Sequence, residues 1–304
     1  MLRGDRTKVR LFLPLACLGM MGWLAAQNPP LTSTAPPVAI QGHNLPASPN
    51  ELVRQAIDNE LRATASHEHF QYRGEKQTPS GITTRQYVET NDGTVARALA
   101  YNHQPLTADQ QRKEEARLQK LSHDPEAQQK HRKDAQEEDE RVKKMLKAMP
   151  DAFLYQYDGI EEGPQGRLVK LRFTANPNFD PPNRETQIYR GMEGTMLIQI
   201  AEKRLAVLNA NLVRSVSFGW GILGHLDPGG HFTVRQTKIA ADRWETTDMT
   251  LKFTGRALFF HKINIDEHDT ESAFQRIPDN LSLSQGVEWL QRQGQQIAQK
   301  QPQQ

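Results

Sequence analysis

Apolar positions recur along this chain with two different spacings. Leu52, Val53, Ala56, Ile57 and Leu61 are spaced as one face of an α-helix. Ser48-Pro49-Asn50-Glu51 in front of them supplies an N-cap serine, a proline at the first helical position and a glutamate placed for the reciprocal cap. The pattern therefore predicts one amphipathic helix from Ser48 to about Ala65. Beyond it the period falls to two. Phe70 and Tyr72 alternate with polar neighbours, and Tyr87 and Val88 end a Thr-rich run. Asn91-Asp92-Gly93 then makes a turn before Val95, Leu99 and Tyr101, which reads as a hairpin or meander. From Ala152 to Ile265 strand follows strand: Phe153/Tyr155/Tyr157, Val169/Leu171/Phe173, Met196/Ile198/Ile200, Leu205/Val207, Leu212/Val216/Phe218, Phe232/Val234, Met249/Leu251/Phe253 and Phe259/Ile263/Ile265. One wet and one dry face per strand belongs to antiparallel sheet, since a parallel sheet is covered on both sides. About eleven strands with a common dry face must curl around something. The predicted fold class is α+β: a curved antiparallel half-barrel of about eleven strands covered by the N-terminal helix.

Two segments break the alternation. Residues 105–149 are densely charged but nearly neutral, with eleven Lys/Arg and ten Asp/Glu from Thr107 to Pro150, so they do not make a basic arm for nucleic acid. Leu118 and Leu121 anchor the start of the run; Val142, Met145, Leu146 and Met149 anchor its end. Asp124-Pro125 re-caps the chain between them, which predicts a solvated helical insertion of two helices or one broken one. The polar tail 279–304 holds a short helix around Val287 and Leu290, followed by a Gln-rich run expected to be disordered.

Composition changes the picture chiefly at the N-terminus. The sequence has 304 residues, a formal charge of +2 and one cysteine, Cys17, so intrachain disulfides and Cys-based zinc sites are excluded. Residues 1–26 carry Arg3, Arg6, Lys8 and Arg10 ahead of an apolar run from Leu11 to Trp23, then Leu24-Ala25-Ala26. That is the order of a secretory signal peptide: basic region, apolar region, small residues at the cleavage site. Removing it takes away the basic excess, and no argument for nucleic acid remains. Residues 27–47, rich in Pro, Ser, Thr and Ala, form a linker that cannot bury a core. The expected organisation is a signal peptide (1–26), a linker (27–47), a half-barrel domain (48–278) interrupted by the insertion, and the tail. The expected location is the periplasm or cell envelope, with an uncleaved N-terminal anchor as the lesser alternative to a cleaved signal peptide.

The chemical motifs are few. Gly219-Trp220-Gly221-Ile222-Leu223-Gly224 matches the dinucleotide-binding fingerprint in letters only. It leads into a second turn, Asp227-Pro228-Gly229-Gly230, and another strand, so no helix N-terminus is available for a diphosphate. His67-Glu68-His69 sets two imidazoles at i and i+2, but a stable zinc site wants a third protein ligand, and the sequence does not bring one to them. There is no G-x-S-x-G and no Ser/Lys pair of recognisable spacing. The adjacent acids Asp266/Glu267 and Glu161/Glu162 read as solvated turns. No catalytic residue, metal or cofactor is expected, and neither is a nucleotide partner.

The run Gly194-Thr-Met-Leu-Ile-Gln-Ile-Ala-Glu-Lys-Arg-Leu205 is a strand, a tight turn at Glu202-Lys203 and a second strand. It continues through the Phe218–Gly230 turns into Phe232-Thr-Val-Arg-Gln and then Trp244 to Phe253. With the leader, the single N-terminal helix and the helical insertion, this resembles the periplasmic lipoprotein-carrier (Lol-type) and outer-membrane lipoprotein-sorting superfamily. The resemblance implies a non-enzymatic binding protein with an apolar concavity for lipid or lipoprotein acyl chains. Phe173, Met196, Ile198, Ile200, Val216, Phe218, Phe232, Val234, Met249, Leu251 and Phe253 are the candidate lining, or else simply the core beneath the helix. The rival reading is an envelope scaffold that binds a protein partner, and a hydrolase comes third. The leader carries the first prediction: the exported protein should begin near Gln27 by intact-mass measurement. A full-length mass, or a diacylated species beginning at Cys17, would refute it.

Overall fold

The computed structural model describes residues 45–63, 68–218, 224–257 and 261–300. The leader, most of the linker, His67, residues 219–223 of the glycine-rich motif and Phe259 lie outside the described residues. Numbered in chain order, β1 (His69–Thr78), β2 (Gly81–Val88), β3 (Val95–Tyr101), β4 (Gln104–Pro105), β5 (Phe153–Gly163), β6 (Gly166–Ala175), β7 (Met192–Gln199), β8 (Arg204–Leu212), β11 (Gly230–Ala240), β12 (Arg243–Ala257) and β13 (His261–Ile277) form an open antiparallel sheet in the order β4-β3-β2-β1-β13-β12-β11-β8-β7-β6-β5, not closed into a barrel. The short β9 (Val216–Phe218) and β10 (Gly224–Leu226) pair with each other, and β10 also pairs with β12. The described chain divides into two compact units, residues 68–142 with 267–300, and residues 45–63 with 143–266.

In the first unit, β1 (His69–Thr78), β2 (Gly81–Val88), β3 (Val95–Tyr101) and the two-residue β4 (Gln104–Pro105) form a meander. The second half of β13 (His261–Ile277) pairs with β1. Sequence reading ends this strand at Ile265, because Asp266–Arg276 is too polar to alternate. The structure carries it on to Ile277, so Asp266 and Glu267 lie inside a strand rather than in a turn. The Lys76 ammonium reaches the carboxylates of Glu267 and Asp269, which makes an acidic strand tolerable here. Tyr72 stacks on Tyr87 at 4.9 Å and on Phe274 at 5.2 Å.

The predicted insertion is two helices, α2 (Ala108–His123) and α3 (Pro125–Ala152), separated at Asp124 as the sequence indicates. Thr107 and Gln110 form a reciprocal capping box at the start of α2. The tail forms α4 (Leu283–Lys300), longer than the short helix expected from its sequence. Leu283, Val287 and Leu290 of α4 close a core with Val88, Val95, Leu118 and Ile277. Gly286 permits the approach, since a Cβ there would lie 2.5 Å from the Thr90 methyl. Two apolar helical turns therefore suffice to recruit a Gln-rich segment into a helix, because burial of one stripe outweighs weak local preference.

In the second unit, α1 (Pro49–Ala63) packs against β5 (Phe153–Gly163) and β8 (Arg204–Leu212). β6 (Gly166–Ala175), β7 (Met192–Gln199), β11 (Gly230–Ala240) and β12 (Arg243–Ala257) complete its main sheet. α3 runs through Pro150, three residues past its expected end. Its last carbonyls are taken by side chains. Tyr155 donates to Met149 O at 2.8 Å, Asn50 to Pro150 O at 2.6 Å and Asn176 to Asp151 O at 2.9 Å. A 3₁₀ turn, Glu185–Gly191, adds Tyr189, whose hydroxyl donates to Met145 O at 3.1 Å. Burial pushes the Tyr189 phenol far above its ordinary range, so it stays a donor.

The free side of β3 is sealed by α2. Ala98 N–H donates to the Glu114 carboxylate at 2.8 Å, and the Arg117 guanidinium, itself 2.8 Å from Glu114, donates to Ala96 O. Burial works to raise the Glu114 carboxyl, but Arg117 and the Ala98 amide outweigh it and hold the group below its ordinary value. A carboxyl lowered by folding adds stability that is present above its unfolded pKa and is lost as pH falls through the folded one. Glu114→Gln should therefore cost about 1–3 kcal/mol at neutral pH. In thermal melts from pH 7 to pH 3 the gap from wild type should close with acidification.

Candidate functional site

Pairing in the second unit sets the sequence-predicted residues in rows on one face of the sheet. Tyr155, Phe173, Gly194, Ala210, Phe232 and Leu251 are successive cross-strand partners. The next row runs Tyr157, Leu171, Met196, Leu208, Val234, Met249. Directly opposed residues of an antiparallel pair point to the same side, so these rows form one surface. Gly194 makes room in the first row, since a Cβ there would lie 2.9 Å from the Phe173 ring and 1.9 Å from Asn209 O. At one margin Phe153, Tyr155, Phe173 and Tyr189 pack as tilted rings 4.7 to 6.2 Å apart. Val216, Phe218 and Phe253 lie at the other end. There β9 (Val216–Phe218) pairs with β10 (Gly224–Leu226), and β10 pairs with β12.

The face is covered. Ile198 is 0% and Leu251 2% exposed, and Phe173, Met196, Val216, Phe218, Phe232, Val234 and Phe253 are buried as well. In this conformation they are core. Leu52, Val53, Ala56 and Ile57 of α1 are buried too, on the stripe the sequence predicts. Two of the candidate residues depart from expectation. Ile200 lies in the turn after β7 and is half-buried, while Gln199 is buried in its stead. β7 ends at Gln199, and the register shift beside it, at Leu197/Ile198, places its extra residue, Ala206, in β8. Met249 is half-buried, close to a second register shift, at Arg235/Gln236 opposite Asp248 and Thr246. Leu212, Val216 and Phe218 are not one strand. β8 ends at Leu212, and β9 begins at Val216.

Sequence reading misses the polar end of this face. Glu60 of α1 is 6% and Arg204 of β8 7% exposed. The guanidinium binds the carboxylate in a fork, Nε to Oε1 at 2.8 Å and Nη2 to Oε2 at 2.9 Å. Leu205 N–H donates to Oε1 at 2.9 Å, and the Gln236 amide reaches Oε2 at 3.4 Å. Arg204 also lies 6.0 Å from the Trp244 ring. A second carboxylate, Glu202, accepts from Trp244 Nε1 at 2.8 Å and from Lys238 at 2.6 Å. Burial acts to raise Glu202, but these donors and the charges of Lys238 and Arg204 hold it below the usual carboxylate range. Asn59 adds bonds to the carbonyls of Glu202 and Lys203. The available signal was a break in pattern. Glu60 sits on the helix stripe of Val53 and Ile57, and Gln236 continues the strand alternation of Phe232 and Val234. A polar residue on each of two apolar faces points to a partner between them.

Among the described residues no group of three or more His, Cys, Asp or Glu could hold a metal ion. His69 opens β1 and is buried, and its backbone N–H donates to Asp279. None of the described helices is long and apolar enough to cross a membrane.

No protein-family model and no curated protein matches the chain. Two solved structures align with it. One is a DUF1329 family protein from Desulfovibrio piger, at 10% identity and a TM-score of 0.29, covering 78% of this chain and 96% of the other. The second is a LolA superfamily protein from Nitrosomonas europaea, at 10% identity and a TM-score of 0.30, covering 77% and 95%. The alignments are long but the superpositions loose. The strand order itself defines the fold, an open antiparallel sheet with flanking helices.

Closed packing has a measurable consequence. Phe232→Ala should cost about 3–5 kcal/mol in denaturant unfolding, and Met249→Ala, at a site not fully buried, less than half as much. Equal costs would show that the face is not packed as described. Ile198→Glu and Leu251→Glu should abolish cooperative folding, since each buries an unpaired charge.

Proposed function

We propose that this chain is an exported, non-enzymatic protein that takes acyl chains of lipids or lipoproteins onto the apolar face beneath α1. The observation that carries the reading is the cover. One 15-residue helix lies over a face that spans six strands, and its specific polar ties are at its two ends. At the start, Asn50 donates to Pro150 O and Arg54 pairs with Asp151 at 2.5 Å; at the end, Asn59 and Glu60 are held by the β7–β8 turn. A helix so tied separates as a unit, opening the face at β8 and β5, the strands on which it packs. Each methylene of a ligand chain that leaves water for such a surface gains about 0.8 kcal/mol, so a long chain compensates for lifting the cover. Export and an envelope location belong to the same reading and rest on the leader.

The test uses the lack of cysteine after the leader. An Asn59→Cys/Lys203→Cys pair should form a disulfide that pins α1, because the Asn59 amide already lies 3.2 Å from Lys203 O. Wild type should bind a fluorescent fatty acid such as cis-parinarate and release it to phospholipid. The oxidised double variant should not bind, and dithiothreitol should restore binding. Unchanged binding under oxidation would remove α1 as the gate.

One observation favours the scaffold reading. β5 ends the sheet and carries Leu154, 53% exposed. A wild type that binds no lipid but retains a stoichiometric protein partner through β5 would support that alternative.

A further inference from the structure

The Glu60 site has the chemistry of a receptor for an anion, and its present occupant is part of the chain's own cover. The donors that converge on the carboxylate all come from the sheet: both arms of the Arg204 guanidinium, the Leu205 amide N–H and the Gln236 amide. Arg204 and Gln236 are each less than a tenth exposed. The acceptor comes from the helix. When α1 lifts, Glu60 leaves and the donors remain, since β8 and β11 hold them in the sheet. Leu205 is the cross-strand partner of Ile198, and Gln236 follows Val234 on the same face of β11. The vacated donors therefore sit at the end of the apolar rows, where the head of an acyl chain lying along them would come.

We infer that Arg204, Leu205 N–H and Gln236 form a headgroup site, so that the ligand is an acyl chain ending in a compact anion, a carboxylate or a phosphate. Glu60 is its internal stand-in: it neutralises Arg204 while the face is closed and competes with the ligand's head for it. A guanidinium that loses Glu60 without replacement would be an uncompensated buried charge. An anionic head restores the fork and the amide bonds; a neutral head does not. Cover and ligand thus exchange like for like at both ends of the site, helix stripe for acyl chain and helix carboxylate for headgroup. The inference rests on the acyl-chain reading above and adds the class of head.

The experiment compares paired ligands of equal chain length: oleate against methyl oleate, and lysophosphatidate against monoolein, each displacing a neutral fluorescent acyl probe. Wild type should prefer the anion in at least one pair by about tenfold or more. Preference within the first pair assigns a carboxylate head, within the second a phosphate. Glu60→Gln removes the competing charge and keeps a similar shape, so it should tighten the anion further and leave the neutral partner less affected. Glu60→Gln/Arg204→Gln holds no unpaired charge and should fold, as circular dichroism will check; it should bind both members of a pair alike. The wild-type ratios need no variant. Anion and neutral partner bound equally by wild type and Glu60→Gln, or a preference that survives in the double variant, would overturn the headgroup site and leave acyl binding standing. Failure of all four ligands to displace the probe, or of the probe to bind at all, would overturn both.

Discussion

A sheet with one dry face must keep that face from water, and in this chain the rest of the second unit is arranged around how that is done. Six strands contribute rows of Phe, Leu, Ile, Met and Val to one surface, and α1 lies on β8 and β5. Apolar contact of this kind is strong but has no direction. Direction comes from the Glu60–Arg204 pair, a forked contact with two further donors at one end of the helix. Two buried charges gain little net stability over an apolar pair of similar volume, because desolvation offsets their attraction. What they supply is register. A carboxylate held by four donors from two strands fixes where the helix ends, and a slip along its axis would leave Arg204 unpaired.

Polar groups do similar work elsewhere. A strand at the margin of a sheet exposes backbone donors and acceptors that invite another strand. On β3 two of these are taken by the side chains of Glu114 and Arg117, which are themselves paired, so α2 seals the strand without pairing to it as a strand would. The C-terminus of α3 is treated in the same way, with Tyr155, Asn50 and Asn176 on its last carbonyls. In each case a polar side chain from outside the element closes an end that secondary structure leaves open.

The functional reading depends on the same division of labour. A face held shut by apolar contact alone would offer a ligand nothing to recognise beyond length. A face whose cover ends in a carboxylate on buried Arg204 offers a place for charge as well. The network around Glu202, with Trp244 and Lys238 as donors, fixes the turn that presents Arg204. Site and support therefore lie in one hairpin and its neighbour.

Alternation by itself determined most of the strands, and capping chemistry the start of α1 and the break at Asp124-Pro125, because these signals are local. Nine of the eleven proposed lining residues are buried on this sheet, since a period of two fixes the face once register holds. Register is where local reasoning stops. β7 ends at Gln199, whose buried amide binds Gln165 O and the Glu202 N–H across the turn, and Ile200 is left in the turn. The polar half of β13 is a strand because β1 and Lys76 receive its acids, and α4 is a long helix because Val88, Val95 and Leu118 await its stripe. Glu60 and Arg204 stand 144 positions apart in the chain. Sequence marked Glu60 only as a charge on an apolar stripe. Tertiary structure supplied its partner, because buried charge is tolerated only where the fold brings an opposite one within hydrogen-bond reach.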